Sequence, residues 1–169
     1  MSCLKKIVTL FILGSPCAYS ETVNVDDFHI DFGTRLRYRC SFVASPINFC
    51  SPKFVEAYEH AIRDRKADFN TNMIIIKIES RPRYAQQTLV AIEPTSKTVY
   101  PLPFDFLSNS FSSDNPLQKG KTTYSLQSNS LCIDGGIMAY KSVQDGHLCW
   151  KFSEGQFSGE ITPYTYPDR

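Results

Sequence analysis

The chain has 169 residues, with 18 Lys and Arg against 17 Asp and Glu, and hydrophobic residues make up 42% of it. That length suits one core of the usual ~100–200 residues, and the composition excludes a disordered chain, a collagen, a coiled coil and a multi-span membrane protein. A formal net charge of +1 removes the electrostatic case for non-specific nucleic-acid binding.

The first twenty residues read as a cleaved secretory signal. Lys5 and Lys6 form a basic start, Ile7 to Leu13 an apolar run too short to span a bilayer, and Ala18-Tyr19-Ser20 puts small residues where a signal peptidase reads. Pro16 beside Cys17 disfavours lipidation there. The reading is a signal over 1–20 and one globular domain over 21–169, periplasmic or secreted. No later apolar stretch approaches the ~20 residues of a transmembrane helix.

Of the 6 cysteines, Cys3 and Cys17 leave with the signal, and Cys40, Cys50, Cys132 and Cys149 remain. An even number in an exported chain implies two disulfides. Three connectivities exist, and spacing favours Cys40 with Cys50 across a short loop and Cys132 with Cys149 across two apolar strands. No Cys-x-x-Cys or Cys-x-x-His spacing speaks for zinc.

In chain order, Phe28 to Phe32 alternates as a short strand, and Arg35, Arg37 and Arg39 continue it with three cations on one face. Ser51-Pro52 opens a helix with Phe54, Val55, Tyr58, Ala61 and Ile62 at helical spacing, running to about Asp68. Met73 to Ile78 and Gln87 to Ile92 are strands, and the second turns at Glu93 to Lys97 into Thr98-Val99-Tyr100. Pro101 to Lys121 reads as a long loop holding Phe104, Phe106 and Phe111. Further strands are expected at Thr122 to Leu126 and Leu131 to Tyr140, the latter with a bulge at Gly135-Gly136. Lys141 to Gly146 should turn the chain into His147 to Phe152, and a short strand near Gln156-Phe157 should precede a tail containing Tyr164 and Tyr166. The expected fold class is α+β: a mainly antiparallel sheet, barrel- or sandwich-like in one variant, with one N-terminal amphipathic helix packed on it and two disulfides.

The chemistry-bearing patterns are sparse. His29, His60 and His147 lie in no catalytic signature, and no Gly-x-Ser-x-Gly elbow or Ser-x-x-Lys occurs. His29 and Asp31 with Asp27 form a cluster of metal-ligand types, which the reading assigns to a solvated strand edge. Glu79, Glu93, Asp105 and Asp134 offer carboxylates but no distinguished pair. No cofactor is implied. What remains is binding: Phe104, Phe106 and Phe111 in the loop, Tyr164 and Tyr166 in the tail, and the Arg35, Arg37, Arg39 stripe are candidate contacts for a protein target. The expectation is an exported envelope protein that blocks another protein, as an immunity protein blocks a delivered toxin or an inhibitor blocks a cell-wall-degrading enzyme. A hydrolase with dispersed catalytic residues and a glycan- or lipid-binding assembly factor are the alternatives.

Overall fold

Short β-branched and aromatic runs, broken by Pro, Gly and Asp turns, fold here as strands. The computed structural model describes residues 22–34, 37–111 and 120–165. The elements are β1 (Thr22–Val25), β2 (Phe28–Asp31), β3 (Arg37–Tyr38), β4 (Ser41–Phe42), α1 (Pro52–Asp64), β5 (Ile74–Arg81), a 3-10 turn (Pro82–Tyr84), β6 (Gln86–Glu93), β7 (Thr98–Pro101), β8 (Phe106–Ser108), β9 (Lys121–Thr123), β10 (Ser130–Ala139), β11 (Ser142–Ser153) and β12 (Gln156–Gly159).

All but β3 and β4 join one sheet, curled into a half-barrel, in the order β1-β2-β7-β6-β8-β10-β11-β12. Strand β5 lies along the other side of β6, and β9 shares an edge of β10 with β8. Neighbouring strands are antiparallel except β2 and β7, which run parallel. The curl brings distant strands face to face: Tyr100 of β7 meets Phe152 of β11 at 5.0 Å between ring centroids.

Helix α1 follows four short strands and so is not N-terminal as expected. It buries Phe54, Val55, Tyr58 and Ala61, and the Tyr58 hydroxyl donates to the Phe49 carbonyl at 3.0 Å. Edge-to-face contacts run from Phe28 through Tyr58 and Phe54 to Phe49, and on to Phe42 and Phe32. Burying such side chains contributes roughly 1.5–3 kcal/mol each. The helix stops at Asp64, short of the expected Asp68, because its last residues serve β5 instead. Arg65 donates to the Ile75 carbonyl at 2.8 Å, and Asp68 accepts the Ile75 amide at 2.9 Å. These bonds cap the open edge of β5, which would otherwise invite strand addition.

Three further expectations change. The long segment after Pro101 contains β8, which fits between β6 and β10. Residues 142–146 extend β11, so the turn is only Tyr140-Lys141, between the paired Ala139 and Ser142. Gly135 and Gly136 make no bulge, since register is continuous along β10 and β11. Their role is close approach. A Cβ at Gly136 would collide with the Asp145 carboxylate and the Phe111 ring, and that carboxylate also accepts the Phe111 amide at 2.9 Å.

The disulfides Cys40–Cys50 and Cys132–Cys149 form as spacing favoured. No helix among the described residues is long and apolar enough to cross a membrane. The proposed signal over 1–20 lies outside the described residues.

Replacing Gly136 with valine should destabilise the fold by about 1–3 kcal/mol, the usual range for overpacking. Urea unfolding followed by tryptophan fluorescence measures this; an unchanged midpoint would contradict the packing described.

Candidate functional site

One end of the sheet is organised by a buried acid. Asp105, just before β8, is fully buried. Its carboxylate accepts the Ser45 hydroxyl, the Tyr164 hydroxyl at 2.8 and 3.0 Å, and the Tyr140 backbone amide at 2.8 Å. The Tyr140 amide is shared with the Tyr164 oxygen, also at 2.8 Å. Its own backbone is held too: the amide donates to Met138 and the carbonyl accepts the Thr88 hydroxyl. Burial pushes the Asp105 carboxyl above its ordinary value, while its hydrogen bonds and the positive charge of Arg81 oppose that rise. The Tyr164 hydroxyl is raised as well, by burial first and by the neighbouring carboxylate second.

Two chain reversals bond this group, and the charge of Arg81, which leads into a third, acts on it. Ser45 follows the β3–β4 hairpin, whose Phe42 stacks on the Tyr164 ring at 4.6 Å. Tyr140 begins the β10–β11 turn with φ of 57°, a left-handed conformation that few side chains adopt without a compensating bond. Arg81 leads into the 82–84 turn and lays its guanidinium 4.1 Å over the Phe106 ring.

Each turn exposes a tyrosine beside a cation. Tyr38, Tyr84 and Tyr140 are 64%, 48% and 47% exposed. Arg39 lies 5.2 Å from the Tyr38 ring centroid, Arg83 lies 5.9 Å from that of Tyr84, and Lys141 lies 5.6 Å from that of Tyr140. Val43 adds an exposed apolar side chain. In the segments 37–45, 81–85, 103–106, 138–143 and 161–165 the only acid is Asp105, and it is inside. The rim is therefore positive and aromatic, and its Tyr and Arg side chains are of types enriched at protein interfaces.

The side chains expected to bind are distributed differently. Phe104, Phe106 and Tyr164 are buried: Phe104 packs 5.4 Å from Trp150, and Tyr164 belongs to the Asp105 group. They build the core beneath the rim and are not available at the surface. Phe111 is half-buried over Gly136. The arginine stripe is broken, because β3 is only two residues long and Arg39 enters a turn at φ 53°. Arg37 is half-buried, whereas Arg39 reaches the rim. Arg35 and Tyr166 lie outside the described residues.

The other candidate groups are engaged elsewhere. His29 bonds Asn24 at 2.7 Å and Asp27 bonds Lys97 at 3.0 Å. His60 pairs with Asp64 at 2.7 Å on α1. Glu93 accepts from Asn72 and Ser96 at the β6–β7 turn. An open groove of about 440 Å³ between α1 and β5 is lined by Ala57, Ala61, Ile76 and Ile78, with charges of both signs around it. Glu79 lines that groove. Asp134 pairs with His147 at 2.6 Å on the outer face of β10 and β11, beside the Cys132–Cys149 disulfide.

Sequence reasoning missed the rim, although its signal is present: Tyr38-Arg39, Arg83-Tyr84 and Tyr140-Lys141 each pair a tyrosine with an adjacent cation at a chain reversal. Comparison of the chain with protein-family models, with curated protein sequences and with solved structures finds no match.

Changing Asp105 to asparagine puts an amide nitrogen among groups that donate, and should cost about 1–3 kcal/mol through unsatisfied partners. The wild-type acid is raised in the folded state, so its protonation favours folding as pH falls from its folded value toward the ordinary carboxylate range. The stability gap between wild type and D105N should therefore widen from pH 7 to pH 4 in urea titrations. A gap that narrows on acidification would contradict this account.

Proposed function

We propose that the chain is an exported envelope protein that binds and blocks another protein, using the tyrosine-cation rim around Asp105 as its contact surface. The observation that carries this reading is the set of three exposed tyrosines, each beside a cation at a chain reversal, two of these reversals being bonded to one buried carboxylate through Ser45 and the Tyr140 amide. Rigid aromatic side chains lose little conformational entropy on binding, and turns already fixed in the free protein lose less still.

Charge narrows the partner. A rim carrying Arg39, Arg81, Arg83 and Lys141 without a surface acid in the same segments complements an acidic surface. Enzymes that cleave cell-wall glycan use paired carboxylates in an open cleft, and such a cleft would receive these side chains. A toxin with an acidic active site fits the same description. Blocking then needs no chemistry from this chain, only occlusion and desolvation of the cleft. The two disulfides and the capped β5 edge suit a frame that must persist outside the cytosol.

Capture from envelope extracts of producing and competing cells, with the oxidised protein as bait, tests this reading when paired with the double variant Arg83→Glu, Lys141→Glu. A supporting result is a partner that loses its glycan- or toxin-type activity when bound and whose affinity falls about 100-fold or more with the doubly reversed bait, in keeping with close interfacial charge pairs. A partner held equally by both baits, or one that stays fully active in the complex, would overturn it.

A further inference from the structure

The outer face of the β10–β11 hairpin carries a second constellation, separate from the rim. Cys132 lies opposite Cys149 and Asp134 opposite His147 in continuous antiparallel register. The Cα atoms of the cysteines are 4.1 Å apart, the close spacing of a non-hydrogen-bonded pair, and the pair two residues further along is of the same kind and faces the same way. His147 Nδ1 is 2.6 Å from Asp134 Oδ1, and His147 Nε2 is 3.3 Å from Cys149 Sγ. Carboxylate, imidazole and sulfur thus stand in line, and the imidazole is largely exposed.

A purely structural disulfide needs no imidazole aimed at one of its sulfurs, and Cys40–Cys50 has no such histidine contact among the described residues. We propose that Cys132–Cys149 is a redox-active disulfide that exchanges with dithiols, with Cys132 the sulfur attacked and Cys149 the leaving group. A thiolate of the dithiol attacks Cys132 Sγ and forms a new S–S bond. The Cys132–Cys149 bond breaks, and its electron pair departs on Cys149 Sγ. Protonated His147 donates its Nε2 proton to that sulfur, while Asp134 holds Nδ1–H and stabilises the imidazolium. The second thiol of the reductant then loses its proton, attacks its own bonded sulfur and releases Cys132, which is protonated in turn. Two electrons and two protons pass from the dithiol to this chain, and the reductant leaves as a disulfide. The reverse sequence oxidises a client dithiol. Exchange is faster when the departing thiolate is stabilised, which makes the two sulfurs unequal.

The test opens the folded, oxidised protein with glutathione or dithiothreitol in the presence of a chelator, quenches by alkylation and maps the products by mass spectrometry. In wild type, the glutathione adduct should sit on Cys132 with the alkyl group on Cys149. In His147→Gln, opening by dithiothreitol should slow about tenfold, a modest share of the usual effect of a positioned acid or base, with the Cys40–Cys50 rate unchanged. Equal adducts on the two cysteines of wild type, or a variant rate within about twofold of wild type, would overturn the proposal. The adduct measurement needs no variant, so it holds even if His147→Gln folds poorly.

Discussion

The burial of one carboxylate governs this structure. Asp105 is taken out of water at a cost of several kcal/mol for an ionised group, and the chain answers by bringing donors from three distant segments to it: Ser45, Tyr140 and Tyr164. Each hydrogen bond to a charged acceptor stabilises by about 1.5–3 kcal/mol, but only if all donors arrive together. The consequence is geometric. The β3–β4 hairpin, the β10–β11 turn and the C-terminal segment cannot shift independently, and the side chains they expose inherit that fixity. The rim on which the functional proposal rests is the outward face of this inward constraint.

Much of the sheet was legible because it rests on local rules. β-branched runs gave β5 and β6, the Glu93 to Lys97 turn gave the β6–β7 hairpin, and apolar spacing gave the buried face of α1. Cysteine spacing gave both disulfides, and the second also sets a strand register. In an antiparallel pair the residue numbers of partners keep a constant sum, so Cys132 opposite Cys149 already places Asp134 opposite His147. What could not be read depends on distant partners. Tyr140 at positive φ resembles no favoured turn residue, and its conformation is compensated by the carboxylate and the Tyr164 oxygen. β8 is too short to announce itself and exists because β6 and β10 leave a slot for it. The aromatic residues around it look like loop anchors in sequence, yet the curled sheet needs their volume inside.

The two proposed sites share the β10–β11 hairpin. The Cys132–Cys149 pair lies seven residues along the hairpin from the Ala139–Ser142 pair that closes the turn, roughly 23 Å at about 3.3 Å per residue. That separation leaves room for a partner on the rim without covering the disulfide. The imidazole beside Cys149 and the Tyr140 ring beside Lys141 are therefore separate groups on a common hairpin, the first proposed for thiol exchange and the second for binding a partner.

The most direct measurement of the central claim is amide hydrogen exchange at Tyr140. In an exposed two-residue turn this amide would ordinarily exchange within the range of local fluctuations. If Asp105 fixes the rim, the Tyr140 amide should be protected to nearly the same degree as the core amides of β6 and β10, and should exchange only with global opening. Exchange as fast as that of an open turn would mean that the buried carboxylate does not hold the turn, and the account of a pre-set binding rim would fail with it.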